Sequence, residues 1–181
     1  MQFNYHLSDE DFLEFNRHYL TTSEEGKKKL MQQFLPGPIF GIVLLIGLYF
    51  IGASTTIFLM EVAVVVVCVI LMYVKRVDTC MNGFKKNLEQ SKKRGKLAYN
   101  SKGVISFSED YIEDRQEDTA SVTKMECAKI SKIYQAASAF YVYTNDTTAI
   151  LLPYSMFEKD SDKEAVKDYL KQHTSATWIQ A

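Results

Sequence analysis

Glu61 is the lone charge in residues 57–74, eighteen residues that are otherwise apolar or uncharged. A carboxylate at the centre of such a helix costs roughly 2.5–3.5 kcal/mol on insertion scales, and less near the end of the run. If residues 57–74 fold back antiparallel on residues 34–53, Tyr49 falls at a similar depth. Tyr49 and Glu61 are therefore a candidate intramembrane polar pair. The carboxylate either reaches the outer interface or accepts a hydrogen bond from Tyr49. The alternative chemistry is an ion or proton site, which needs several copies around one pathway. A second constellation is basic. Residues 75–96 hold eight Lys and Arg against two Asp and Glu. Lys85, Lys86, Lys92, Lys93 and Arg94 suit anionic lipid headgroups, at ~1 kcal/mol per basic residue near the surface. A third is acidic, with Glu109, Asp110, Glu113, Asp114, Glu117 and Asp118 crowded into residues 108–118. It lacks the regular oxygen spacing and glycine turn of a calcium loop. Glu113, Asp114 and Glu117 are read as an acidic edge for protein contact, turned away from lipid by like charge.

Other chemistries lack their residues. His6, His18 and His173 are the only histidines, and none sits at metal-ligand spacing with a cysteine or another histidine. There is no glycine-rich phosphate loop and no Gly-x-Ser-x-Gly turn. Cys68, Cys80 and Cys127 are odd in number and too few for a disulfide scaffold in 181 residues. The net charge is −1 and the pI about 6.3, which does not suit nucleic acid. The chain is expected to be non-enzymatic, with no cofactor and no nucleic-acid partner.

These groups are positioned by two apolar runs. Residues 34–53 carry no charge over twenty residues. Each run is long enough for a hydrocarbon core of roughly 30 Å. Ser54, Thr55 and Thr56 alone separate them, so the two helices must be antiparallel, a transmembrane hairpin. Lys27, Lys28 and Lys29 precede the first run, Lys75 and Arg76 follow the second, and the turn has no basic residue. The positive-inside bias predicts both termini in the cytoplasm. Four segments follow: a cytoplasmic strand and amphipathic helix in 1–33, the hairpin in 34–74, a basic juxtamembrane helix in 75–96, and a β-rich domain in 97–181. Gly37-x-x-x-Gly41 lets helix backbones approach closely, either against Ala63 and Val67 or in a homo-oligomer.

The amino terminus alternates Phe3, Tyr5 and Leu7 with polar residues, a strand pattern. Ser8 and Asp11 form a capping box for a helix reaching about Leu20. That strand is expected to pair with the β-rich domain, because an isolated strand leaves its backbone groups without partners. Beyond the second run, Val104-Ile105-Ser106-Phe107 and Tyr111-Ile112 read as strands, and Ile130, Ile133 and Tyr134 mark a third region. Residues 139–144 and 148–152 flank Asn145-Asp146, which predicts a tight hairpin. Phe140-Tyr141-Val142-Tyr143 is apolar on both faces and belongs in mid-sheet or under a helix. Ser161 and Glu164 predict a capping box for a final helix with Val166, Tyr169 and Leu170 on one stripe. The expected class is an α+β membrane protein, its five to seven antiparallel strands curled into one sheet and closed by that helix.

These pieces in this order resemble the YcxB-like family of small bacterial membrane proteins. The likeness runs from Phe3-Asn4-Tyr5-His6-Leu7-Ser8 and Asp11-Phe12-Leu13-Glu14-Phe15-Asn16 through the two spans. It continues in Val104-Ile105-Ser106-Phe107, Ile130-Ser131-Lys132-Ile133-Tyr134, Phe140-Tyr141-Val142-Tyr143 and Ile150-Leu151-Leu152-Pro153. The chain departs from the family at Tyr154, where a basic residue is usual, and around Met125-Glu126-Cys127, where a Trp often stands. The resemblance implies a pleckstrin-homology-like cytoplasmic domain and no enzyme activity. The expected function is a non-enzymatic interaction or regulatory module in the bacterial inner membrane, meeting anionic lipids and an unidentified protein partner. The alternative is an oligomeric channel or transporter component that uses Glu61.

Overall fold

The computed structural model describes residues 1–96, 99–117 and 121–180. Among them the chain is mixed α+β, with two long apolar helices and two small sheets. It forms two compact units, Arg17–Lys85 on the one hand, Met1–Asn16 with Lys86–Ala181 on the other.

The first unit is helical, and the helices at its two ends continue into the second. Helix α1 (Asp9–Thr22) starts where predicted: Asp11 N–H donates to Ser8 Oγ at 3.1 Å, and Ser8 N–H donates to Asp11 Oδ2 at 2.9 Å. It runs two residues past Leu20. Helix α2 (Glu24–Phe34), which residue patterning did not reveal, follows at once. Ser23 caps it by accepting from Gly26 N–H at 2.8 Å, and Glu24 and Glu25 sit in the first turn, where the helix dipole favours them. Helix α3 (Pro36–Phe50) begins one residue later with proline at its first position, where the missing N–H costs nothing. Its end is set by Gly52, whose φ of 70° is cheap only for glycine. Gly52 N–H donates to Tyr49 O and Ala53 N–H to Leu48 O, each at 3.2 Å, which satisfies the last carbonyls. The turn is therefore residues 51–54, not Ser54–Thr56, and Thr55 already belongs to the next helix. Helix α4 (Thr55–Lys93) is one rod of 39 residues. At ~1.5 Å per residue it is about 58 Å long, so the second apolar run and the basic segment are continuous. Gly37 and Gly41 face α4. A side chain at Gly41 would come within 2.8 Å of Val65, and one at Gly37 would overlap Met72. The glycines thus serve close packing inside this chain, against Val65 and Met72 and not Ala63 and Val67.

The second unit is β-rich. Strands β1 (Gln2–His6), β2 (Lys102–Phe107), β3 (Tyr111–Gln116) and β4 (Val122–Glu126) form one antiparallel sheet in that order. The amino-terminal strand therefore joins β2, as its pattern predicted, with Tyr5 opposite Gly103. Strands β5 (Lys132–Gln135), β6 (Ala139–Tyr143), β7 (Ala149–Pro153) and β8 (Thr177–Gln180) form the second sheet, in the order β7-β6-β5-β8. The expectation of one antiparallel sheet is corrected on two counts. The strands divide between two sheets, and β8 runs parallel to β5. Helix α5 (Asp160–His173) makes that parallel return feasible, because a parallel partner needs a crossover. One local expectation fails: helix α5 starts at Asp160 with Lys159 at its cap and no side-chain cap bond, so Ser161 and Glu164 form no capping box. The β6–β7 hairpin forms around Asn145 as expected, with Thr144 N–H donating to Thr148 O at 3.1 Å. Asn145 Oδ1 holds it by accepting from the N–H groups of Thr147 at 2.9 Å and Thr148 at 2.8 Å.

One face of each sheet packs with α5 around a shared core of Ile105, Ile112, Ile133, Phe140, Val142, Leu152, Val166 and Leu170. The other face of the second sheet carries Tyr134, Tyr141 and Tyr143, and Phe15 of α1 meets Tyr141 edge-on at 5.5 Å. Strand β6 is buried along its whole length for that reason, which explains its two apolar faces.

Candidate interaction site

Among the described residues, β4 of the first sheet pairs with β3 alone, so one of its edges is open. Gln116 N–H donates to Ser121 O at 2.9 Å, and Cys127 N–H donates to Asp110 O at 2.8 Å. Antiparallel pairing alternates, so Ser121, Thr123, Met125 and Cys127 direct their backbone groups at β3. Val122, Lys124 and Glu126 direct theirs outward, with no protein partner among the described residues. A cavity of about 430 Å³ runs along this edge, lined by residues 123–126, Lys129 and the β6–β7 loop residues Thr144, Asn145 and Thr148. Charges on the strand's outer face are already matched. Lys124 Nζ lies 3.2 Å from Glu113 and 4.8 Å from the centre of the Tyr111 ring, and Lys129 lies 2.8 Å from Glu126. Sequence reasoning missed this edge because an open edge is a property of strand order, which no local pattern contains.

Glu113, Asp114 and Glu117 do not form one acidic edge. Strand β3 is interior to its sheet, and consecutive residues point to opposite faces. Glu113 lies on the outer face between Lys124 at 3.2 Å and Arg115 at 2.9 Å, which hold its carboxyl below the usual carboxylate range. Asp114 points the other way. Burial pushes its carboxyl up, against the hydrogen bonds it accepts from Tyr5 Oη at 2.9 Å and Gln116 Nε2 at 3.4 Å. Glu117 is exposed beyond the strand, and Asp118 lies outside the described residues.

The basic residues also divide. Lys85, Lys86, Lys93 and Arg94 are exposed. Lys92 is not a free cation, since it forms an ion pair with Asp9. Lys92 and then Tyr99, whose hydroxyl donates to Asp9 Oδ1 at 2.8 Å, lower the Asp9 pKa. Tyr99 in turn stacks on Phe12 with ring centres 4.7 Å apart, and its own pKa is raised by burial and by Asp9. This ties the start of α1 to the end of α4 within the β-rich unit.

Tyr49 and Glu61 are not paired. The approaches of Gly41 to Val65 and of Gly37 to Met72 put Tyr49 level with about residues 57–60, near the depth of Glu61, but no hydrogen bond links the two among the described residues. Tyr49 is 74% exposed and its ring meets Phe50 edge-on at 5.9 Å. The histidines lie on three separate elements: His6 on β1, His18 on α1 and His173 on α5. His173 stacks on Tyr169 with ring centres 4.5 Å apart.

No curated protein matches the chain. Residues 107–170, from the end of β2 through β7 into α5, match the family model described as YcxB-like protein, so over the stretch that holds the open β4 edge and its groove the chain is similar to YcxB-like proteins.

Proposed function

We propose that the chain is a membrane-anchored, non-enzymatic interaction module. On this reading α3 and the apolar part of α4 cross a bacterial inner membrane, and both termini lie in the cytoplasm. The two sheets closed by α5 act as a pleckstrin-homology-like domain that contacts another protein. Two features support the anchor. Both candidate spans, Glu24–Phe50 (α2 running into α3) and Thr55–Lys93, are long enough to cross a bilayer, and the apolar side chains of α3 and α4 are bare, with Phe50 80% exposed. Hydrocarbon is the solvent in which such a surface is stable. Exposed Lys85, Lys86, Lys93 and Arg94 suit anionic headgroups beside it.

The observation that carries the interaction role is the open edge of β4. Natural sheets shield their edges with proline, charge or short strands. Strand β7 ends in Pro153 and β8 has only four residues, whereas β4 offers three outward N–H and C=O pairs beside a groove. Protein recognition by strand addition uses these groups. The test places a photo-crosslinking amino acid at Val122, which is 50% exposed, in cells producing the full chain. A discrete protein adduct from Val122, absent from the same probe at exposed Lys171, is the expected result. Absence of any adduct from Val122 would refute the interaction role. Release of the protein from membranes by alkaline carbonate would refute the anchor.

A further inference from the structure

We infer that the protein docking on β4 is a second copy of this chain, through antiparallel β4–β4 pairing with Lys124 of each copy opposite Glu126 of the other. The inference rests on the interaction reading above and names its partner. The argument starts from which backbone groups are available. Only Val122, Lys124 and Glu126 point outward, at a spacing of two. A strand that bonds to them must present outward groups at the same spacing, and β4 of a second copy does so. A two-fold axis then makes the contact closed, so association stops at two.

Charge selects the register. Hydrogen bonding requires residues of the outward set to face one another, and three symmetric registers engage at least two of them on each strand. The first sets Lys124 against Lys124, and directly opposed like charges are destabilising. A second sets Val122 against Lys124 and matches no charge. The third sets Lys124 against Glu126 twice. In that register the outer-face charges of the two copies join in one alternating row. Glu113 lies 3.2 Å from Lys124, Lys124 faces the partner's Glu126, and Glu126 lies 2.8 Å from Lys129 in either copy. Met125 then faces Met125 across the axis, but each side chain is turned into its own core, so it adds no bulk at the junction. The cavity of about 430 Å³ beside the edge leaves room for the incoming strand. The two four-stranded sheets become one continuous sheet with β1 at each end.

The test uses the full chain in mild detergent. Carbodiimide joins a lysine to a carboxylate in direct contact. In an equal mixture of ¹⁴N- and ¹⁵N-labelled protein, a mixed-isotope Lys124–Glu126 crosslink is expected. In parallel, two differently tagged copies should co-purify. Lys124→Glu alone and Glu126→Lys alone should each weaken that self-association by about tenfold, since each opposes like charges twice. Mixing the two single variants should restore it, because both facing pairs then again set an acidic side chain against a basic one. The crosslink requires no substitution, so it decides the matter even where Lys124→Glu disturbs folding beside Glu113. Wild-type association without a mixed-isotope Lys124–Glu126 link, or without rescue on mixing, overturns this register. A monomeric protein whose Val122 probe captures a different protein overturns the second copy as partner while leaving the interaction role standing. A Val122 probe that captures nothing overturns both.

Discussion

Removal of one hydroxyl, Tyr5→Phe, tests how β1 is locked to the first sheet. Tyr5 sits opposite Gly103 on β2 and reaches across that strand to Asp114 on β3, at 2.9 Å. The Asp114 carboxyl is raised above its ordinary 3.8 by burial, and the Tyr5 hydroxyl offsets part of that rise. A hydrogen bond to a charged group contributes about 1.5–3 kcal/mol, and Gln116, at 3.4 Å, is too distant to replace it fully. The expected loss at pH 7 is therefore about 1.5–3 kcal/mol. Its pH dependence has a definite sign. A carboxyl raised by folding is a liability where it is ionised, and the liability fades as pH falls through its folded pKa. Tyr5→Phe enlarges that liability, so the loss should be greatest at neutral pH. Below 3.8, where Asp114 is neutral in both states, it should shrink toward the ~0.5–1.5 kcal/mol of an uncharged bond. Urea unfolding of the full chain in mild detergent, followed by Trp178 fluorescence, measures it. In an Asp114→Asn background the loss should be small at every pH. An equal loss at pH 3 and pH 7, or an undiminished loss in that background, would show that Tyr5 acts by packing alone.

Three further outcomes follow from the same geometry. Gly103→Ala puts a methyl 2.6 Å from both Arg115 O and Tyr5 Oη, so it should destabilise the β-rich unit by about 1–3 kcal/mol in the same unfolding assay. Gly41→Leu drives α3 away from Val65, and it should lower the thermal stability of the helical unit in detergent while Gly47→Leu, with open space at that position, does not. Lys86→Ala and Lys93→Ala should each weaken binding to anionic vesicles by about fivefold, the equivalent of ~1 kcal/mol. Lys92→Ala should weaken it less, because Asp9 already pairs with that lysine.

The helices other than α2 were legible because their determinants are local. Run length and the absence of charge set α3 and the apolar part of α4, the Ser8–Asp11 box starts α1, and alternation at Phe3, Tyr5 and Leu7 marks β1 as a strand seeking a sheet. The two-sided apolarity of Phe140-Tyr141-Val142-Tyr143 likewise announces burial on both faces. None of these patterns carries strand order. Gln2–His6 and Lys102–Phe107 pair across a long helical insertion, and β8 reaches β5 only after α5 has crossed, so the division into two sheets depends on contacts between distant segments. The candidate residues show the same limit. Glu113, Asp114 and Glu117 are one acidic cluster in sequence, yet the pleat of β3 sends the first to Lys124 and the second to Tyr5. Lys92 belongs to a basic run until Asp9, far away in the chain, claims it. Periodicity records whether a side chain is buried, which each residue expresses through its own chemistry. Register and ion pairing depend on which other side chain arrives opposite, and only the folded chain brings the two together.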